Sequence, residues 1–192
     1  MGADTAMTPA PTLTTDEYFR TPETVLPQEL AYGVWTVADA PTPRHQSAVF
    51  AFGVSLDRFV RRHGLGRIYL SPVDVILDEH RHLIVQPDLV FIADPRLAIV
   101  RERIWGAPDL ALEVLSPQLR IGDLDQRLAW FGAYGVRECW LLHQNRRMLE
   151  VVPFVDGKAA PSTVFNEFAP IRSSVLQGWD RTLDSVLAGF DD

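Results

Sequence analysis

A chain of 192 residues, 47% of them hydrophobic, is long and apolar enough to bury the core of one domain, which excludes global disorder. A formal charge of −7 argues against non-specific coating of nucleic acid, but it is compatible with an enzyme that meets a polyanion through a local basic rim and a metal. No stretch approaches the roughly 20 apolar residues of a membrane span, and a single cysteine, Cys139, excludes an internal disulfide and a thiolate metal cluster.

Residues 1–13 are rich in Thr, Pro and Ala and read as a flexible arm, with residues 14–192 as one domain. The arm has no basic or long apolar segment of a secretory signal, and Ala6 stands where N-myristoylation needs Ser or Thr. Thr14 and Glu17 form a capping box that opens a short helix through Phe19. Residues 28–37 read as a first strand or hairpin bending near Gly33. A long helix is predicted over 44–62, with Ala48, Val49, Phe52, Leu56, Phe59 and Val60 at helical spacing. His63-Gly64-Leu65-Gly66 ends it as a glycine cap.

Two strands are predicted next, over 68–77 and 84–92, joined by the polar turn Asp78-Glu79-His80-Arg81. A connection rich in Pro and Arg leads to the strand of Glu113, which Ser116-Pro117 closes. A helix follows over 121–134 and stops at Gly135. Residues 138–143 and 148–154 pair as a hairpin across Gln144-Asn145-Arg146, and Asp156-Gly157 is another turn. The tail, through Ile171 and Val175 to Leu187, reads as a strand-like segment and a terminal helix. Cys139 reads as a small buried hydrophobe, which fits a reducing cytoplasm, and the five tryptophans, in different segments, read as core residues. Strands mixed with helices, with a strand-helix-strand unit and an early antiparallel run, indicate α/β or α+β with a mixed sheet.

Two carboxylates interrupt apolar runs. Asp88 lies in Leu83-Ile84-Val85-Gln86-Pro87-Asp88-Leu89-Val90-Phe91-Ile92, and Glu113 lies in Leu110-Ala111-Leu112-Glu113-Val114-Leu115. Each loses hydration worth several kcal/mol unless a cation, a hydrogen-bond network or a proton compensates it. Pro87 cannot donate a ladder hydrogen bond, so the sheet is interrupted or edged beside Asp88. In the second strand Glu113 shares a face with Ala111 and Leu115. If the strands are neighbours, both carboxylates converge on one hard-ligand site suited to Mg²⁺ or Mn²⁺. The alternative is that Asp88 binds turn amides and Glu113 pairs with an arginine.

Cations are almost all arginine: Lys+Arg number 18 and Lys158 is the sole lysine. Codon usage accounts for part of this, yet Arg is also the better bidentate phosphate ligand. On the predicted helix after Glu113, Ile121, Leu124, Leu128 and Phe131 form an apolar stripe flanked by Asp123, Arg127, Trp130 and Tyr134. Arg127 therefore borders the core and can reach an anionic site at the end of the Glu113 strand, or can form a surface pair with Asp123.

Seven successive segments resemble signatures of the Uma-two endonuclease family. They are Gln28-Glu29-Leu30, Pro43-Arg44-His45-Gln46, Pro72-Val73-Asp74-Val75-Ile76-Leu77, Gln86-Pro87-Asp88-Leu89-Val90, Gly106-Ala107-Pro108-Asp109-Leu110, Glu113-Val114-Leu115-Ser116-Pro117 and Tyr134-Gly135-Val136-Arg137-Glu138-Cys139-Trp140. The resemblance implies a restriction-endonuclease-like fold of the PD-(D/E)xK nuclease superfamily, with a mixed central sheet flanked by helices. It further implies a Mg²⁺ or Mn²⁺ site built from Asp88, Glu113 and the Val114 carbonyl, with Glu29 facing the same site. The reaction implied is phosphodiester hydrolysis, with DNA as substrate and a homodimer as the assembly.

The chain departs from the family pattern in three places. Leu115 stands where Glu-x-Lys would end, and the position matching the family's helix lysine is Arg127, which keeps the charge but cannot shuttle a proton. Tyr32-Gly33-Val34 replaces an acidic residue, glycine and glutamate. Lys158, in a turn, is not expected to substitute. His45 matches a family position and reads either as phosphate contact or support, or as a helix-start histidine bonded to backbone. Asp74 and Asp123 read as possible supports, Asp74 alternatively as a strand end. Besides an active nuclease, the sequence leaves open a weakened one that binds nucleic acid or protein, and a structural oligomerising domain.

Overall fold

The computed structural model describes residues 12–22, 24, 26–115 and 123–190. Most of the expected N-terminal arm, the Ser116-Pro117 strand end and the expected helix start at Ile121 lie outside the described residues.

Helix α1 (Thr15–Phe19) is opened by Thr14, whose hydroxyl accepts the Glu17 N–H while the Glu17 carboxylate accepts the Thr14 N–H. Strands β1 (Gln28–Ala31) and β2 (Val34–Val37) form the expected hairpin, turning at Gly33 with φ +88°. Helix α2 (Pro43–His63) starts at the Thr42 cap and ends at left-handed Gly64. The predicted strand over 68–77 is two strands, β3 (Gly66–Leu70) and β4 (Val75–Asp78). The next predicted strand is also two, β5 (Leu83–Val85) and β6 (Leu89–Ala93). Both runs divide at a proline, Pro72 or Pro87, which has no N–H to continue a ladder.

Then come β7 (Ile104–Trp105), β8 (Leu110–Leu115), α3 (Leu124–Tyr134), β9 (Glu138–His143), β10 (Met148–Val155), β11 (Lys158–Ala159), β12 (Thr163–Asn166) and α4 (Leu183–Leu187). The strand-like tail expected around Ile171 and Val175 is not a strand. There the Ser173 hydroxyl accepts the Val175 and Leu176 N–H groups, so local turns satisfy the backbone.

Instead of one central sheet the strands form two. One runs β2-β1-β5-β4-β7; the other runs β11-β10-β9-β8-β6-β3, with β12 also paired to β10. Both are mixed: β4–β7 and β8–β9 pair in parallel, and their other pairs are antiparallel. The chain leaves the first sheet after β5 and enters the second at β6, so residues 86–88 are the crossing between them.

Alternation along β8 sorts its side chains. Leu110, Leu112 and Val114 join the core beneath α2, with Phe52, Leu56 and Trp140. Ala111 and Leu115 face the core beneath α3, with Trp130 and Phe131. Helices thus cover both faces of the second sheet, as period-2 burial on both sides requires. Trp130, Trp140 and Trp179 are core residues, but Trp35 is 42% exposed on β2, contrary to the expectation for all five. Cys139 is buried, and burial pushes its thiol well above the ordinary range. Among the described residues no helix is long and apolar enough to cross a membrane.

Candidate active site

Strand β6 enters the second sheet beside β8 with Leu89 opposite Leu112. One step back along this register, Asp88 stands level with Glu113. The Asp88 carboxylate is fixed from two sides: Oδ2 accepts the Val114 N–H at 2.7 Å and lies 3.1 Å from His45 Nε2. His45 comes from the first turn of α2, where its own N–H is taken by the Thr42 hydroxyl at 3.2 Å. Its ring is buried against Asp88, and its Nδ1 has no hydrogen-bond partner among the described residues. The ring thus meets the Asp88 carboxylate and not a neighbouring backbone group, while the N–H is capped by a side-chain hydroxyl.

From the other face α3 delivers Arg127. The helix is capped by Asp123, whose Oδ1 accepts the Asp125 N–H, so Asp123 is occupied at the helix end and does not pair with Arg127. Arg127 Nε donates to Glu113 Oε1 at 2.7 Å, and its Nη1 donates to both oxygens of Glu29 at 2.9 and 2.8 Å. Glu29, on β1 of the other sheet, is 2% exposed, and its Oε1 also accepts the Gln86 N–H at 2.6 Å. The guanidinium therefore bridges the two sheets next to their crossing. The structure brings Glu29, Asp88, Glu113, Val114, Arg127 and His45 together.

Asp74 stands outside this group. Its Oδ1 accepts Gln86 Nε2 and the Tyr18 hydroxyl, each at 2.9 Å, and its Oδ2 accepts Arg103 Nε at 3.0 Å. It touches Glu29 only through Gln86, which also accepts the Gln28 N–H at 3.1 Å. The sequence alone assigns no part to Gln86, Tyr18 or Arg103. Only the place of Gln86 next to Pro87-Asp88, a polar residue in an apolar run, marks any of them. Lys158 is exposed on β11 and pairs with Val155, away from the cluster.

Three carboxylates, Glu29, Asp88 and Glu113, are gathered around one guanidinium. Burial, then the Asp88 and Glu29 charges, drive the Glu113 carboxyl up to about 8 against the opposing pull of Arg127. Burial pulls the Arg127 guanidinium down, but Glu113 and Glu29 together outweigh it and hold it above its ordinary range. Both shifts are upward, so within one ion pair the guanidinium is favoured as the ion while the Glu113 carboxylate is not. Sharing explains this: a single cation divided between Glu113 and Glu29 stays charged but does not fully compensate Glu113.

Asp88 Oδ1 and Glu113 Oε2 accept no hydrogen bond among the described residues. Among those residues no three His, Cys, Asp or Glu side chains form a ready cage for an ion. The donor set nonetheless fits Mg²⁺ or Mn²⁺ in an open site, because such ions keep several waters and need only one or two carboxylates.

Two mixed sheets meeting at a buried carboxylate cluster, with helices on both faces, define a restriction-endonuclease-like α/β protein. Its fold is similar to that of a solved protein from Anabaena variabilis, described as a "putative nuclease belonging to DUF820", with a TM-score of 0.77 at 16% identity over 93% of this chain and 99% of that one. The chain belongs to the Uma2 family, described as "Putative restriction endonuclease", whose profile matches residues 15–184. Comparison with curated proteins finds no match.

Proposed function

We propose that the protein is a metal-dependent nuclease of the PD-(D/E)xK type that hydrolyses DNA phosphodiester bonds. Asp88, Glu113 and the Val114 carbonyl would hold Mg²⁺ or Mn²⁺. The observation that carries this reading is the convergence of three largely buried carboxylates, Glu29, Asp88 and Glu113, on a place with one guanidinium, that of Arg127. A bound divalent ion would add positive charge there, acidify a water and offset negative charge growing on the phosphate.

The rest of the work falls to the chain itself. The Val114 N–H and His45 hold one Asp88 oxygen, which leaves the other in a fixed direction. Arg127 ties Glu29 on the first sheet to Glu113 on the second, so the two halves of the site keep their spacing. Arg127 exchanges no proton at neutral pH. The cluster contains no lysine, so no amine is at hand to take a proton from an attacking water.

The test is cleavage of plasmid and single-stranded DNA with Mg²⁺, with Mn²⁺ and with EDTA. Asp88→Asn and Glu113→Gln should each lower cleavage by about a hundredfold. Cleavage indifferent to EDTA and to both substitutions would remove the assignment.

One observation favours a second reading, a weakened nuclease that chiefly binds nucleic acid: the Arg127 guanidinium is already engaged by two carboxylates. On that reading Arg127→Lys raises cleavage strongly at unchanged DNA affinity. Brisk cleavage by the wild type rules it out.

A further inference from the structure

The second half of α2 and the C-terminal segment enclose a cleft of about 410 Å³ that shares no residue with the carboxylate cluster. That volume lies in the range of small-ligand sites. Arg58 is 13 residues beyond His45 on the same helix, roughly 20 Å along its axis, so the cleft is a separate place on the molecule. Phe59, Trp179 and Phe190 give it an aromatic lining. Arg58, Arg62 and Arg181 stand around it, all exposed. None of the three lies within ion-pair distance of a carboxylate among the described residues, whereas neighbouring Arg61 is paired with Asp57 at 2.8 Å. Asp180 is the only acid in the described lining.

The ordinary explanation for basic residues at the end of a helix is the macrodipole, and it suffices for Arg62 in the last turn of α2. It does not cover Arg58, a full turn earlier, or Arg181 on another segment. Arg58 and Arg62 are four apart on one helix face, where like charges repel. The chain as a whole carries −7, so three guanidiniums without an ion-pair partner among the described residues, gathered around one cleft, are a local reversal of sign. Trp179, at the floor of the cleft, is anchored in the core against Phe52 and Trp140, with ring centroids 6.4 and 5.0 Å away. An anionic ligand bound here relieves the repulsion between Arg58 and Arg62.

We infer that this cleft binds a nucleotide, with phosphate held by Arg58, Arg62 and Arg181 and the base against Phe59 and Phe190. Planar guanidinium forks match phosphate oxygens, and aromatic faces accept any base by stacking. The nucleotide is either free or one unit of a nucleic-acid strand. Neither form requires the cluster to hydrolyse anything.

The experiment uses the full chain in EDTA, alongside the double substitution Arg58→Ala/Arg181→Ala. Adenosine and thymidine 5′-monophosphates are titrated by calorimetry, with inorganic phosphate as competitor, and a fluorescein-labelled oligothymidylate by anisotropy. Whichever probe binds the wild type should bind the double variant at least tenfold more weakly, at an unchanged melting temperature. For the oligonucleotide, the slope of log K against log[salt] should also become shallower by about 1.4, because two phosphates of a single strand no longer meet an arginine. Monophosphate binding identifies a free-nucleotide site; oligonucleotide binding alone identifies a strand-binding site. Absence of binding by all probes at millimolar concentration, or equal affinity of the double variant, overturns the inference. Repeating the titrations with Asp88→Asn separates this result from the nuclease reading, since that substitution should lower cleavage about a hundredfold and leave the cleft's affinity intact.

Discussion

Glu113 carries the sharpest consequence of the shared guanidinium. Buried carboxylates occur elsewhere in this molecule without any such tension. Glu138, 1% exposed, accepts bonds from Trp140 Nε1, the Ser173 hydroxyl, and the Ser174 amide and hydroxyl, and needs no cation. Asp109, also 1% exposed, has Arg96 at 3.1 Å and Arg137 at 3.5 Å to itself. Glu113 has half of one arginine, and its carboxyl is pushed up to about 8 by burial and by its acidic neighbours. In the unfolded chain it titrates near its ordinary value of 4.5. Between these two values the folded protein binds more protons than the unfolded one, so the contribution of Glu113 is most favourable below about pH 4.5 and is lost as pH rises towards 8. Urea denaturation in EDTA at stepped pH should show stability falling across that window, and Glu113→Gln should flatten the fall. A profile unchanged by that substitution would mean that Arg127 compensates Glu113 fully.

At the level of elements, the position of Arg127 depends on how α3 is seated. Gly132 lies on that helix against the turn between β10 and β11. A Cβ there would meet the Gly157 carbonyl oxygen at 2.7 Å and Phe154 Cδ1 at 2.9 Å. Alanine ordinarily gains about 1 kcal/mol over glycine inside a helix. Here the backbone contact reverses the sign, and Gly132→Ala should cost about 1–3 kcal/mol. Because the clash pushes α3 outward, the same substitution should lower metal-dependent cleavage as well. Chemical denaturation and cleavage rates measured together check it; a stabilised variant would show that the turn yields instead.

Helices and hairpins of this kind are readable because their signals are local: the Thr14–Glu17 box, the Gly64 and Gly135 stops, and the spacing from Ala48 to Val60. The strands over 68–77 and 84–92 come out too long because alternation marks burial and not sheet membership. A run that crosses from one sheet to another looks continuous. The same limit applies at the site. Asp88 and Glu113 stand out as charges in apolar runs, but Glu29 comes only from family resemblance. The Gln86–Asp74–Tyr18 network joins segments that meet only once the two sheets are assembled.

For the whole molecule, the carboxylate cluster makes metal binding a matter of stability as well as chemistry. Any ion that binds the folded state alone stabilises it, by about 2.7 kcal/mol at one hundred times its dissociation constant. For a chain of this size each kcal/mol moves the melting temperature by about 2–4 °C. Mg²⁺ or Mn²⁺ should therefore raise the melting temperature of the DNA-free protein by roughly 5–10 °C at saturation. Sodium chloride of matched ionic strength should not, since screening acts weakly on buried pairs. The double substitution Asp88→Asn/Glu113→Gln should abolish the metal response without weakening the metal-free fold. An asparagine oxygen can still accept the Val114 N–H, Arg127 still has Glu29, and two mutually repelling charges are gone. Loss of the response therefore could not be put down to a damaged protein. A melting temperature that rises equally in sodium chloride, or equally in the double variant, would place the ion elsewhere and leave the cluster as a structural clamp between the two sheets.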